Sequence, residues 1–90
     1  RVAVFICTGR EERYREVTEK WLDSNFIVHW GLFMRKTGDR RDDSIVKKEM
    51  LDGIREAGFE PTIAFEDRDR VVKMWRENGV RCFQVAEGNF

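Results

Sequence analysis

Ninety residues, 41% hydrophobic and 12% aromatic, suffice for the core of one small domain, so a single domain over residues 1–90 is expected. Seventeen basic residues balance 17 acidic ones, which excludes a global basic field for nucleic acid and leaves any phosphate binding to local groups. No apolar run nears the roughly 18 residues of a membrane span, no signal-peptide pattern is visible, and a single His without a C-x-x-C pair argues against structural zinc. The default expectation is a cytoplasmic protein with no membrane contact.

In chain order, Val2–Cys7 is a continuous apolar run with β-branched residues, the pattern of a strand buried on both faces. A chain that opens on Arg1 and enters such a strand at once is expected to be part of something longer. Tyr14, Val17, Thr18, Trp21 and Leu22 then fall on one helix face. Trp30–Met34 reads as a second strand, followed by the polar loop "KTGDRRDD". Asp43 or Ser44 is the expected N-cap of the next helix, because a short side-chain oxygen can accept from a first-turn N–H. Its apolar face is Val46, Met50, Ile54 and Ala57, and Gly58 is the stop. Pro61 precedes a third strand, Thr62–Phe65. A third helix holds Val71, Val72, Met74 and Trp75 and ends at Gly79, and "RCFQVA" is a fourth strand. Cys7 and Cys82 lie in strand-like runs and read as buried thiols. Trp21, Trp75 and the seven Phe read mostly as core.

The order β-α-β-α-β-α-β implies an α/β fold with a parallel sheet covered by helices on both sides. In such sheets ligands bind at the carboxyl ends of the strands. Thr8, Gly9 and Arg10 follow the first strand there, Asp43 and Lys47 the second, Glu66 and Asp67 the third. A hydroxyl, a guanidinium, an ammonium and carboxylates on one edge suit a phosphate beside a divalent cation. Each residue also has an ordinary reading. Thr8 could cap a helix locally, Arg10 could pair with Glu11 or Glu12, and Lys47 could be a solvated helix lysine. Glu66 and Asp67 could simply favour a helix N-terminus. Arg35, Lys36, Arg40 and Arg41 form a basic stretch diluted by Asp39, Asp42 and Asp43, which reads as solvated loop charge rather than a backbone-binding patch. His29 and Trp30 read as satisfied structural residues.

Three blocks, "FICTGREERYREVTEKWL", "MRKTGDRRDDSIVKKEML" and "FEDRDRVVKMWRENGVRCFQVAEGNF", resemble the 3′-phosphatase domain of phage-type polynucleotide kinase/phosphatase, within the haloacid dehalogenase superfamily. The resemblance covers nearly all of the chain and is most specific in the last block. It implies a Rossmann-like three-layer parallel sheet of haloacid dehalogenase type. It implies phosphate-binding roles for Thr8, Gly9 and Arg10, a charge-neutralising role for Lys47 and a supporting one for Asp43. Asp67 would ligate Mg²⁺ directly and Glu66 through water or a bonded neighbour, although the family more often has Asp at that position. The tail "EGNF" stands where the family has Gly-Asp-Phe, with Asn89 at the changed place.

The superfamily also uses an Asp-x-Asp pair on a preceding strand, one carboxylate attacking phosphorus and the other serving as acid and base. No such motif is read in these residues, and the resemblance makes the four strands the second to fifth of that fold, so the fold is expected to lack its first, central strand. Buried unpaired backbone groups cost roughly 1–3 kcal/mol each. An upstream segment, direct pairing of the first and third strands, or a second copy of the chain would have to fill the gap. The implied activity is Mg²⁺-dependent removal of 3′-phosphate from nucleic-acid ends through an aspartyl-phosphate, with the ninety residues alone inactive. A non-catalytic module that binds nucleic-acid ends or protein is the alternative, and a small-molecule phosphatase a third reading. A phage origin would place the protein in the host cytoplasm.

Overall fold

In the computed structural model, residues 2–90 are described. The elements are β1 (Phe5–Glu11), a 3₁₀ turn (Glu12–Tyr14), α1 (Arg15–Ser24), β2 (Gly31–Arg35), α2 (Asp43–Glu56), β3 (Ile63–Glu66), α3 (Asp69–Glu77) and β4 (Arg81–Gln84). The alternation expected from the apolar pattern is present, with boundaries shifted by a few residues. The first strand starts later than Val2 and runs through Thr8, Gly9 and Arg10 instead of ending before them. Among the described residues no helix is long and apolar enough to cross a membrane.

The strands pair as two parallel two-stranded sheets, β1 with β2 and β3 with β4. The chain divides into two compact units, residues 1–40 and residues 41–90.

In the first unit, Phe5, Ile6, Cys7 and Thr8 sit opposite Gly31, Leu32, Phe33 and Met34, and Glu11 sits opposite Arg35. Two residues, Gly9 and Arg10, are thus extra on β1 and form a bulge. Leu22, Leu32 and Met34 make the buried cluster, with Ile6 packed against it. Thr18 and Leu22 are the buried residues of α1. Trp21, expected in the core, is 59% exposed, and Tyr14 and Val17 are exposed as well. The helix buries a narrower stripe than its five-residue apolar face offers. Just past the end of α1, Phe26 adopts φ of 57° and leaves its ring in solvent. The Ile27 N–H donates to Leu22 O at 2.9 Å across this turn. That left-handed conformation is one glycine adopts without a Cβ penalty.

In the second unit, α3 packs on β3 and β4 and against α2. Val46, Met50, Leu51 and Ile54 of α2 are buried together with Val71, Val72, Met74 and Trp75 of α3 and Val80 and Cys82. Ala57 caps α2 and is exposed, while Leu51 takes the core place not foreseen for it. Gly58 and Gly79, both at positive φ, follow the two helices as expected. Ile63, Phe65 and Phe83 are exposed, with the Phe65 and Phe83 rings stacked at 5.7 Å. The expectation that the phenylalanines are mostly core is therefore wrong: no Phe among the described residues is buried. A two-stranded sheet covered by a helix on one face leaves the alternate side chains of the other face in water. Cys82 is a buried free thiol, held above its ordinary pKa by that burial, and Cys7 is half-buried.

The N-cap of α2 is Asp42, one residue before the expected Asp43 or Ser44. Asp42 Oδ2 accepts from Ser44 N at 3.0 Å and Ser44 Oγ at 2.5 Å. Those bonds, the Ser44 hydroxyl first, hold the Asp42 carboxyl below its ordinary pKa, and Arg70 and Arg68 contribute.

Two outcomes follow from these helix ends. Phe26→Gly is expected to raise stability by up to about 1 kcal/mol by relieving the left-handed residue; a lower urea midpoint would contradict this. For Asp42, a depressed folded pKa means its stabilisation is complete above the unfolded value and is lost as pH falls through the folded one. The gap in urea midpoint between wild type and Asp42→Ala is therefore expected at pH 7 and should close below about pH 4. A gap independent of pH would refute the capping assignment.

Candidate functional site

The expected site residues divide between the two units. In the first, Thr8, Gly9 and Arg10 occupy the β1 bulge, which re-aims side chains relative to a regular strand. Thr8 Oγ1 accepts from Arg10 N at 3.2 Å, a local turn inside the bulge rather than a helix cap. Arg35 Nε donates to Gly9 O at 2.9 Å and Arg35 Nη1 to Asp39 O at 3.3 Å, fixing the bulge carbonyl from the neighbouring strand end. The proposed partners of Arg10 are already engaged. Glu11 accepts from Arg13 and from Gly38 N, and Glu12 pairs with Arg15. The Gly38 bond chiefly holds Glu11 below its ordinary pKa, and the Arg15 bond does so for Glu12. Arg10 is exposed, lies 5.7 Å from the Tyr14 ring centre, and makes no ion pair among the described residues. A guanidinium in that state can donate two parallel hydrogen bonds to phosphate oxygens.

In the second unit, the side chains of Asp43, Lys47 and Glu66 are 10%, 11% and 9% exposed and form one cluster. Asp43 and Lys47 are four apart on α2, so they share a helix face, and Lys47 Nζ lies 3.3 Å from Asp43 Oδ2. Lys47 Nζ also donates to Glu66 Oε1 at 3.0 Å, tying α2 to the end of β3. Glu66 Oε2 turns back toward Asp67 N and Arg68 N, at 3.3 and 3.4 Å. Arg68 Nη1 is 3.9 Å from Asp43 Oδ2. The solvated-lysine reading of Lys47 is excluded by its burial.

Asp67 stands apart from this network. It is half-buried, and its carboxylate has no hydrogen bond or ion pair among the described residues. A hard oxygen donor in that state fits a divalent cation such as Mg²⁺. Glu66, with one oxygen on Lys47 and the other toward the loop amides, fits an indirect role. Among the described residues no group of three or more His, Cys, Asp or Glu is gathered closely enough to hold a metal. Asp67-Arg68-Asp69 has the literal Asp-x-Asp spacing, a point the sequence reading missed. Asp69, however, is the first residue of α3 and accepts from Gln84 Nε2 at 2.6 Å, so the two are not paired at a strand end.

Two of the four residues of the basic stretch are engaged, Arg35 holding the bulge and Arg41 pairing with Glu49 at 2.7 Å, while Lys36 and Arg40 are exposed. Trp30 is 57% exposed, and His29 Nδ1 is buried without a hydrogen bond among the described residues. What sequence reasoning missed is the tail. Gln84 Nε2 donates to Asp67 O at 2.8 Å, and Gly88 O accepts from Asp69 N at 2.9 Å. The "GNF" ending was the only signal for it.

A small α/β chain with short parallel strands and a buried Lys-carboxylate cluster at a strand end is the kind of scaffold phosphate chemistry uses. The chain belongs to the family of polynucleotide kinase PNKP phosphatase domains, which it matches over residues 1–90. Two solved structures, of the Pnkp1/Rnl/Hen1 RNA repair complex and the Pnkp1/Rnl/Hen1 complex, contain chains that superpose with TM-scores of 0.91 and 0.90. Each is 40% identical and covers 98% of this chain. A candidate bifunctional polynucleotide kinase/RNA ligase of Autographa californica nuclear polyhedrosis virus is 29% identical over 77 residues, 84% of this chain. The chain spans only 29% and 31% of the two structural relatives and 11% of the viral one.

Removing Lys47 would leave two buried carboxylates facing each other. Lys47→Met is expected to lower stability by about 3 kcal/mol or more, as for other broken buried pairs. Adding Glu66→Gln should recover at least about 1 kcal/mol of that loss in a double-mutant cycle measured by denaturation. Additive effects would show that the two side chains are not coupled.

Proposed function

We propose that these residues form part of a Mg²⁺-dependent polynucleotide 3′-phosphatase that hydrolyses the terminal phosphomonoester of nucleic-acid ends. The observation that carries the reading is the buried Lys47, bridging Asp43 and Glu66 beside the uncommitted Asp67, in a chain matched throughout to that phosphatase family. The RNA repair complex of the structural relatives supports nucleic-acid ends as substrate and other repair proteins as partners. The wider fold is of haloacid dehalogenase type, its central strand and Asp-x-Asp pair supplied from outside these ninety residues.

Each residue then has a distinct task. Arg10 grips the substrate phosphate, with Thr8 and the Gly9 backbone as further contacts. Lys47 keeps a fixed positive charge near phosphate and nucleophile, and Asp43 and Glu66 hold its ammonium in place. Asp67 would hold Mg²⁺ and Glu66 would support it indirectly; the cation, when bound, would offset charge on the phosphate. The attacking carboxylate, supplied from outside these residues, would take the phosphoryl group as the bond from phosphorus to the 3′-oxygen breaks. The second aspartate would protonate that oxygen as the nucleic-acid hydroxyl leaves, and water would then cleave the aspartyl-phosphate to inorganic phosphate.

The test is phosphate release from 3′-phosphorylated RNA and DNA oligonucleotides by the full-length protein, with and without Mg²⁺. Asp67→Asn is expected to reduce turnover at least 100-fold, roughly the size of losing one charge-stabilising group, and the isolated ninety residues should be inactive. Full activity in Asp67→Asn, or equal activity in excess chelator, would overturn the reading. The alternative is a non-catalytic module that uses the same phosphate contacts to bind nucleic-acid ends or protein. Tight binding of 3′-phosphate ends without release by the full-length protein would select it.

A further inference from the structure

Glu66, Asp67 and Asp69 are held by a segment the proposed chemistry does not use. Gly88 is buried, and its backbone lies directly on the acidic loop. A Cβ there would stand 1.6 Å from Asp67 O and 2.7 Å from Arg68 Cα, both backbone atoms that cannot swing away. Gly88 O accepts from Asp69 N at 2.9 Å, satisfying a first-turn donor of α3 that has no partner within the helix. Val85 N donates to Glu66 O at 3.0 Å, and Gln84 Nε2 to Asp67 O at 2.8 Å and Asp69 Oδ1 at 2.6 Å. Beyond Gly88, the Phe90 ring lies 4.6 Å from the Arg68 guanidinium, and Phe90 O accepts from Arg70 Nη2 at 3.2 Å.

We infer that Gln84 and the Gly88–Phe90 tail are positioning elements for Asp67, setting the direction of its carboxylate by clamping the backbone from Glu66 to Asp69. The inference rests on the proposed cation role of Asp67 for its consequence, but not for the clamp itself. Because the Asp67 carboxylate has no hydrogen bond or ion pair among the described residues, the backbone is what sets its Cα–Cβ direction and so the space its oxygens can reach. Any side chain at position 88 must push that backbone away by more than an ångström, since real Cβ contacts essentially never fall below 3.0 Å. A shift of about 1 Å in a positioned group can cost on the order of 100-fold in function. Gly88 is thus required for close approach, whereas its neighbours Glu87 and Asn89 are exposed.

The test uses the full-length protein carrying Gly88→Ala, Gln84→Leu, or the control Glu87→Ala. Two readouts are taken: hydrogen exchange over residues 66–70 without metal, and Mn²⁺ affinity by electron paramagnetic resonance. Gly88→Ala and Gln84→Leu are expected to speed exchange at the Asp69 amide at least tenfold over the control, with α2 exchange unchanged. Both should weaken Mn²⁺ binding at least tenfold. Should Gly88→Ala fail to fold, Gln84→Leu decides alone. Folded variants with wild-type exchange and Mn²⁺ affinity overturn the inference; so does faster exchange with unchanged affinity where Asp67→Asn itself abolishes Mn²⁺ binding. If Asp67→Asn binds Mn²⁺ as tightly as wild type, the cation role of Asp67 fails, and the exchange data still decide the clamp: faster exchange upholds it and unchanged exchange overturns it.

Discussion

The second unit depends on one ammonium group. Lys47 reaches across from α2 to the last residue of β3 and stands between two carboxylates, with roughly nine-tenths of each side chain removed from water. An isolated buried charge carries a desolvation penalty of several kcal/mol, and mutual attraction offsets it only with close geometry. Here the Lys47–Glu66 contact at 3.0 Å supplies that geometry, and the Asp43 contact shares the charge. Such a pair adds little net stability compared with an apolar replacement. What it does is link the first turn of α2 to the end of β3, with Lys47 reaching a carboxylate on each.

The same arrangement explains why a glutamate can serve at position 66. Its side chain reaches Lys47 with Oε1 while Oε2 turns back over the Asp67 and Arg68 amides. Both oxygens are therefore oriented by the protein, and neither carboxylate oxygen of the adjacent Asp67 is engaged among the described residues. Two neighbouring acids thus divide into one that organises and one that remains open to a ligand. The division arises from side-chain length and from the partners each meets, not from their nearly identical chemistry.

Local features were legible in the sequence because they depend on near neighbours. The helix stops at Gly58 and Gly79, the apolar face of α3 and the pairing of Asp43 with Lys47 all follow from spacing along the chain. What was not legible depends on residues far apart. Glu66 meets Lys47 19 positions away, and Gly88 reports only that something small is tolerated until its contact with Asp67 is seen. The Asp42 cap was missed by one residue because three short polar side chains stand in succession and any could bond the first turn. The aromatic residues misled most. Hydrophobicity places Phe65 and Phe83 inside, but burial needs a covering layer, and α3 covers only the opposite face of their sheet.

The tail sharpens what strand-end chemistry requires of this fold. A carboxylate at the end of β3 needs its backbone held without its side chain being consumed, because an oxygen bonded to protein is less available to a cation. Gln84 and Gly88 meet that condition by bonding main-chain atoms: Asp67 O on one side and the Asp69 amide on the other. A side-chain clamp would compete with the ligand, whereas a backbone clamp cannot. The glycine is the smallest way to bring one backbone onto another. Its cost is that the position tolerates no Cβ, so the loop and the tail must be regarded as one structural element, even though α3 and β4 separate them in sequence.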